Sequence, residues 1–197
     1  MTWWCASTRQ PSAWTWQPYL GVWVLVALLL GWYLTRVRPR TPRDTALFAT
    51  GVFVLWLAND WPIGALAGYL ATLHTVQYIL ISLIAAPLLL LGLPEGWLAA
   101  RSERARQVFR GTTRAWVGLV LFNTILFTTH LPGVIDALRP SQLGSFAMDM
   151  AWLVGGAALW WPVVAPAPYR RLSGPQRILY LFVSTIPPVI PAAFLTF

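Results

Sequence analysis

His74, Gln77 and Tyr78 fall at i, i+3 and i+4, a spacing that puts all three on one face of a helix. A second histidine, His130, stands just before Leu131-Pro132-Gly133, and the run Met148-Asp149-Met150 opens another apolar stretch. Imidazole and thioether together suit Cu(I), a soft monovalent ion, and a carboxylate can add charge compensation. His74, His130, Met148, Asp149 and Met150 are therefore the candidate copper ligands, with Gln77 and Tyr78 as supporting residues. The two histidines also permit axial ligation of haem b, which ranks below copper because only a haem close to one membrane face would meet them.

Each of these residues has a plainer reading. An intramembrane histidine serves as a helix–helix hydrogen-bond partner, methionines fill gaps in packing, and a carboxylate at a helix start sits in interfacial water. A histidine ahead of a helix-ending proline can simply close its helix. Other chemistries lack their residues: the chain has no P-loop, no GxGxxG, no HExxH, and two histidines in all. A transporter calls for paired broken helices near the midplane, and the proline-rich last apolar stretch has no such partner.

The elements that would hold these groups are membrane spans. The chain is 57% hydrophobic and only 10% charged, with charges confined to short runs. At a mean hydropathy of +0.61, such a chain is better solvated by lipid than by water. About twenty residues rising ~1.5 Å each cross the hydrocarbon core. The sequence predicts an all-α integral membrane protein of about six transmembrane helices, at residues 18–37, 45–60, 65–93, 115–131, 146–164 and 178–197. One polytopic domain, 18–197, follows a Trp-rich interfacial segment, 1–17. The last span, with Pro187, Pro188 and Pro191, is expected to be kinked, and Ala85, Ala86, Gly155 and Gly156 to allow close helix contacts.

All fourteen basic residues are arginines. Twelve fall in three clusters: Arg36, Arg38, Arg40 and Arg43; Arg101, Arg104, Arg106, Arg110 and Arg114; Arg170, Arg171 and Arg177. These follow the first, third and fifth spans, whereas the other connections hold only Arg9 and Arg139. The odd connections are thus expected in the cytoplasm and both termini on the outer, periplasmic side. The formal net charge of +8 is topological rather than a sign of nucleic-acid binding, although anionic lipid headgroups suit the clusters. Cys5 is the single cysteine, so no intrachain disulfide forms. The start lacks a basic region leading into an apolar core, and no cleaved signal peptide is expected.

From the third span the sequence becomes familiar. LHTVQYILISLIAAPLLLLGLP resembles the CtaG-type cytochrome c oxidase assembly proteins, whose pattern is approximately H-M-x-Q-H-x-L-L followed by a small and Pro-rich stretch and L-G-x-P. WQPYLGVWVLVALLLGWYL, FNTILFTTHLP and GGAALWWPV resemble, in order, the family's first span, its H-L-P segment and the end of its fifth span. His74 and His130 are retained. Tyr78 stands where the family has a second histidine, and Ser145 and Asp149 where it has a pair opening the fifth span. The family commonly has a seventh span; six are expected here. The resemblance implies a non-enzymatic protein of the bacterial plasma membrane that serves a haem–copper cytochrome c oxidase. Its implied partners are the oxidase subunits and the lipid bilayer. Two roles stay open: assembly with copper delivery on the periplasmic side, or a permanent accessory subunit that has lost the metal chemistry.

Overall fold

The computed structural model describes residues 3–5, 16–94, 97, 115–164, 172–187 and 189. Among these there is no strand. The helices are α1 (Leu20–Arg36), α2 (Pro42–Asn59), the short α3 (Ile63–Leu66), α4 (Ala71–Leu91), α5 (Ala115–Thr129), α6 (Pro132–Leu138), α7 (Gln142–Val164) and α8 (Gly174–Ser184). Arg101, Arg104, Arg106, Arg110, Arg114, Arg170 and Arg171, with Arg9, Pro188 and Pro191, lie outside the described residues.

Helix α2 starts three residues before the expected 45 because Thr41 closes a capping box with Asp44 and Pro42 opens the first turn, where no N–H is missed. The expected run 65–93 is divided. Residues 67–70 form a turn, and α4 then runs unbroken to Leu91. Within it Leu80–Ala85 are wound as a π-helix just ahead of Pro87, whose ring and missing N–H do not fit regular α geometry. The proline after His130 ends α5 as expected, but α6 follows at once, bent by 75°. Helix α8 ends ahead of Pro187.

Among the described residues two helices, α4 and α7, are long and apolar enough to cross a membrane, or three where the bent pair α5–α6 counts as one span. Helix α1 is apolar but has 17 residues. Leu28, Trp116, Leu143 and Ile178 are among the large side chains that face outward, as lipid contact requires.

Long helices that follow one another along the chain run antiparallel. The Tyr19 N–H before α1 donates to Asp60 Oδ1 beyond α2 (3.3 Å), while Tyr33 near the other end of α1 stacks on Phe48 at 4.0 Å between ring centroids. The Tyr33 hydroxyl also donates to the Gly92 carbonyl after α4 (2.8 Å). Two ends result. The connection α1–α2 with Arg40 and Arg43, the end of α4 and Val164 surround one cleft. His74, His130 and the start of α7 lie at the opposite end. Between them Leu55, Ile81, Ala85, Phe122, Leu126, Met148, Trp152 and Leu159 form the main core.

Two of the expected close contacts differ in kind. A Cβ on Gly156 would sit 2.7 Å from Ser82 Cα and press on its carbonyl oxygen, whereas a Cβ on Gly155 would meet only the end of the Ile125 side chain at 3.2 Å. Gly156→Ala should therefore cost about 1–3 kcal/mol, because rigid backbone must shift. Gly155→Ala should be near neutral, since Ala gains about 1 kcal/mol over Gly in a helix and the Ile125 methyl can turn aside. Thermal unfolding of the two variants in detergent checks the difference.

Candidate functional site

Two histidines from different helices meet at the start of α4 and the end of α5. Their ring centroids are 5.5 Å apart and nearly perpendicular. The Trp152 ring of α7 lies beside both, 5.1 Å from His74 and 6.0 Å from His130. Tyr78, one turn beyond His74, is 5.6 Å from His130 and 5.7 Å from Trp152, both edge to face. Trp152 is itself fixed, its indole N–H donating to Thr129 Oγ1 at 2.9 Å. The imidazoles therefore stand in an aromatic box.

The local hydrogen bonds decide which ring nitrogens can act. His130 Nδ1 is 2.8 Å from the Leu126 carbonyl. A carbonyl only accepts, so Nδ1 carries the proton and the lone pair of the neutral ring is on Nε2. His74 Nε2 is buried and has no hydrogen-bond partner. An unpaired buried nitrogen of this kind is costly and needs a reason. A cavity of about 370 Å³ reaches both histidines, with Arg139 on its wall and the exposed Tyr69 and Asp136 toward its rim.

Beside the box lies a buried polar network. Arg139 follows α6 and is 4% exposed; Asp149, in the second turn of α7, is fully buried. They form an ion pair at 3.3 Å. Both carboxylate oxygens are engaged, Oδ1 by Arg139 Nη2 and Oδ2 by the Trp4 indole N–H at 2.8 Å. Arg139 also donates to Gln77 Oε1 (3.3 Å), and its guanidinium lies over the Trp152 ring, 5.1 Å from the centroid. Gln77 reaches on to Asn59 Oδ1 (3.5 Å), and Ser145 Oγ donates to the Arg139 carbonyl (3.3 Å).

The expected site residues thus divide. His74, His130 and Tyr78 come together. Gln77 and Asp149 belong to the arginine network. Met148 is buried in the main core with Trp152 and Tyr78. Met150 packs elsewhere, against Trp4, Cys5, Tyr19, Val22 and Ala65. Among the described residues no three of His, Cys, Asp or Glu group as a metal site. Cys5 is buried and in no disulfide, and burial, followed by the nearby Asp149 carboxylate, pushes its thiol above the usual range, so it stays protonated at neutral pH.

Arg139, Trp152 and Trp4 were not among the expected site residues. One signal for Arg139 was available: apart from Arg9 it is the only arginine outside the three clusters. The indoles gave none, as 13 tryptophans are spread along the chain.

The fold and this site define a helical membrane protein with a half-buried two-histidine box beside a buried ion pair. The model of the cytochrome c oxidase caa3 assembly factor family (Caa3_CtaG) matches residues 26–197. The chain belongs to that family, and membership assigns it a role in cytochrome c oxidase assembly, and with it an interaction with the oxidase. No curated protein and no solved structure matches it.

Proposed function

We propose that this chain handles Cu(I) as cargo for a haem–copper oxidase, at its histidine end, on the periplasmic side of the bacterial plasma membrane. One observation carries the reading: two imidazoles from separate segments converge, and His74 Nε2 is buried with no partner. Imidazole is a good ligand for copper, and a small donor set gives binding that can be reversed when cargo is passed on. Met148, in the same apolar cluster as Trp152, is the nearest expected source of a soft thioether. The chain then needs no reaction of its own.

Six spans with both termini outside fit this role. Arg36, Arg38, Arg40 and Arg43 follow α1 at the end opposite the histidines, which the preference for cytoplasmic arginine orients inward. The cleft at that end, about 640 Å³ with Arg40 and Arg43 over Leu47, Leu90 and Leu91, suits an anionic headgroup and its first acyl carbons.

The test is a Cu(I) titration of the detergent-purified chain under reducing conditions against a competing chelator. About one copper per chain is expected. His74→Ala or His130→Ala should weaken binding at least ~100-fold, the upper range that even an outer-shell partner reaches. Tyr78→Phe should leave it unchanged, because only its ring faces the histidines. Background binding in the wild type would reject copper handling and favour a resident structural subunit of the oxidase.

A further inference from the structure

Arg139 serves no ligand in the site described above, yet its burial and position give it a consequence for which ions the site can take. It is 4% exposed, lines the cavity that reaches both histidines, and lies over the ring of Trp152 that touches them. Its partner Asp149 is one helical turn before Trp152 and has both oxygens occupied. Arg139 lines the cavity and Asp149 does not, so the pair turns its guanidinium toward the histidines and holds its carboxylate behind. A buried carboxylate left free there would attract divalent ions. The cavity's own carboxylate, Asp136, is exposed and screened by solvent.

We infer that Arg139 is the specificity-determining residue of the histidine box: by holding Asp149 it leaves the box no free buried carboxylate and so restricts it to monovalent soft cations, Cu(I) and Ag(I), against Zn(II) and Cu(II). This rests on the copper-handling reading. The physical argument is charge burial. The cost of moving an ion out of water grows as the square of its charge, so a divalent ion pays about four times the penalty of a monovalent one. Two neutral imidazoles offer no opposite charge against it. A monovalent d10 ion is stable with few soft or imidazole donors, whereas divalent ions call for further ligands or a carboxylate. Imidazole alone does not reject Zn(II); the absence of free negative charge does.

The experiment compares Ag(I), Cu(I) and Zn(II) binding by calorimetry in detergent for the wild type, Arg139→Gln, Asp149→Asn and the double variant. In the wild type the monovalent ions bind and Zn(II) does not. In Arg139→Gln the carboxylate is released, and the preference for monovalent ions over Zn(II) should fall at least ~10-fold. Asp149→Asn strands the arginine cation, so Ag(I) and Cu(I) should weaken by a similar factor while Zn(II) stays absent. Arg139→Gln with Asp149→Asn carries neither charge and should restore the wild-type preference. The double and Asp149→Asn variants decide the matter even if Arg139→Gln does not fold. Unchanged selectivity across the folded variants, with Cu(I) bound by the wild type, overturns the role of Arg139 and leaves copper handling intact. A wild type that binds no monovalent ion overturns both.

Discussion

Asp149→Ala should lower the stability of the detergent-solubilised protein by about 3–5 kcal/mol, the cost of leaving one member of a buried ion pair unpaired. The loss does not measure what the pair contributes, because much of it is the stranded charge of Arg139. Gln77 Oε1 and the Trp152 face still hold that guanidinium, which favours the lower end of the range. Replacing both members by apolar residues, Arg139→Met with Asp149→Leu, should recover most of the stability, since a well-packed apolar pair is often neutral or better. Trp4→Phe tests the third partner. It removes the indole N–H that donates to Asp149 Oδ2 and keeps most of the ring packing on Phe146, so it should cost about 1.5–3 kcal/mol, the range for a hydrogen bond to a charged group. Thermal unfolding of the three variants checks the set; losses that simply add would show that the three residues do not form one network.

The same residues show what a sequence can and cannot give. Helix positions were legible because apolar runs, Pro42 with its capping box and Leu131-Pro132 are local signals. The turn at 67–70 was not, since an unbroken apolar run reads as one helix; the short α3 before it lies close on the Asn59 backbone at Gly64. Within the site, equal depth brought the two histidines into one expectation, and they do meet. Depth carries no angle, however. Met150 is adjacent to Asp149 in sequence but points to another face of α7, toward Trp4 and Cys5. Asp149 was read as a ligand because its partner lies ten residues earlier, across the α6–α7 turn, and no helical spacing announces that contact. The positions where the family resemblance places a histidine pair, Ser145 and Asp149, are both bonded to Arg139.

The largest effect expected in a cell concerns the oxidase. Cells producing the His74→Ala or His130→Ala chain at wild-type level should make an oxidase that keeps its haem and contains at least ~10-fold less copper, by the scale on which lost ligand support lowers metal affinity. On the copper-handling proposal, copper transfer passes through the histidine box and haem insertion does not. Excess copper in the medium should restore part of the metal, because a missing carrier lowers a rate and leaves the acceptor site unchanged. A structural subunit makes the opposite prediction. Its loss would destabilise the oxidase as a whole, haem would fall with copper, added copper would not help, and the chain would copurify in equal amount with the mature complex. Metal and haem analysis of the purified oxidase from the two variants separates these outcomes. The Gly156→Ala chain, altered in packing with both histidines kept, serves as control: any copper loss there should follow the amount of folded chain.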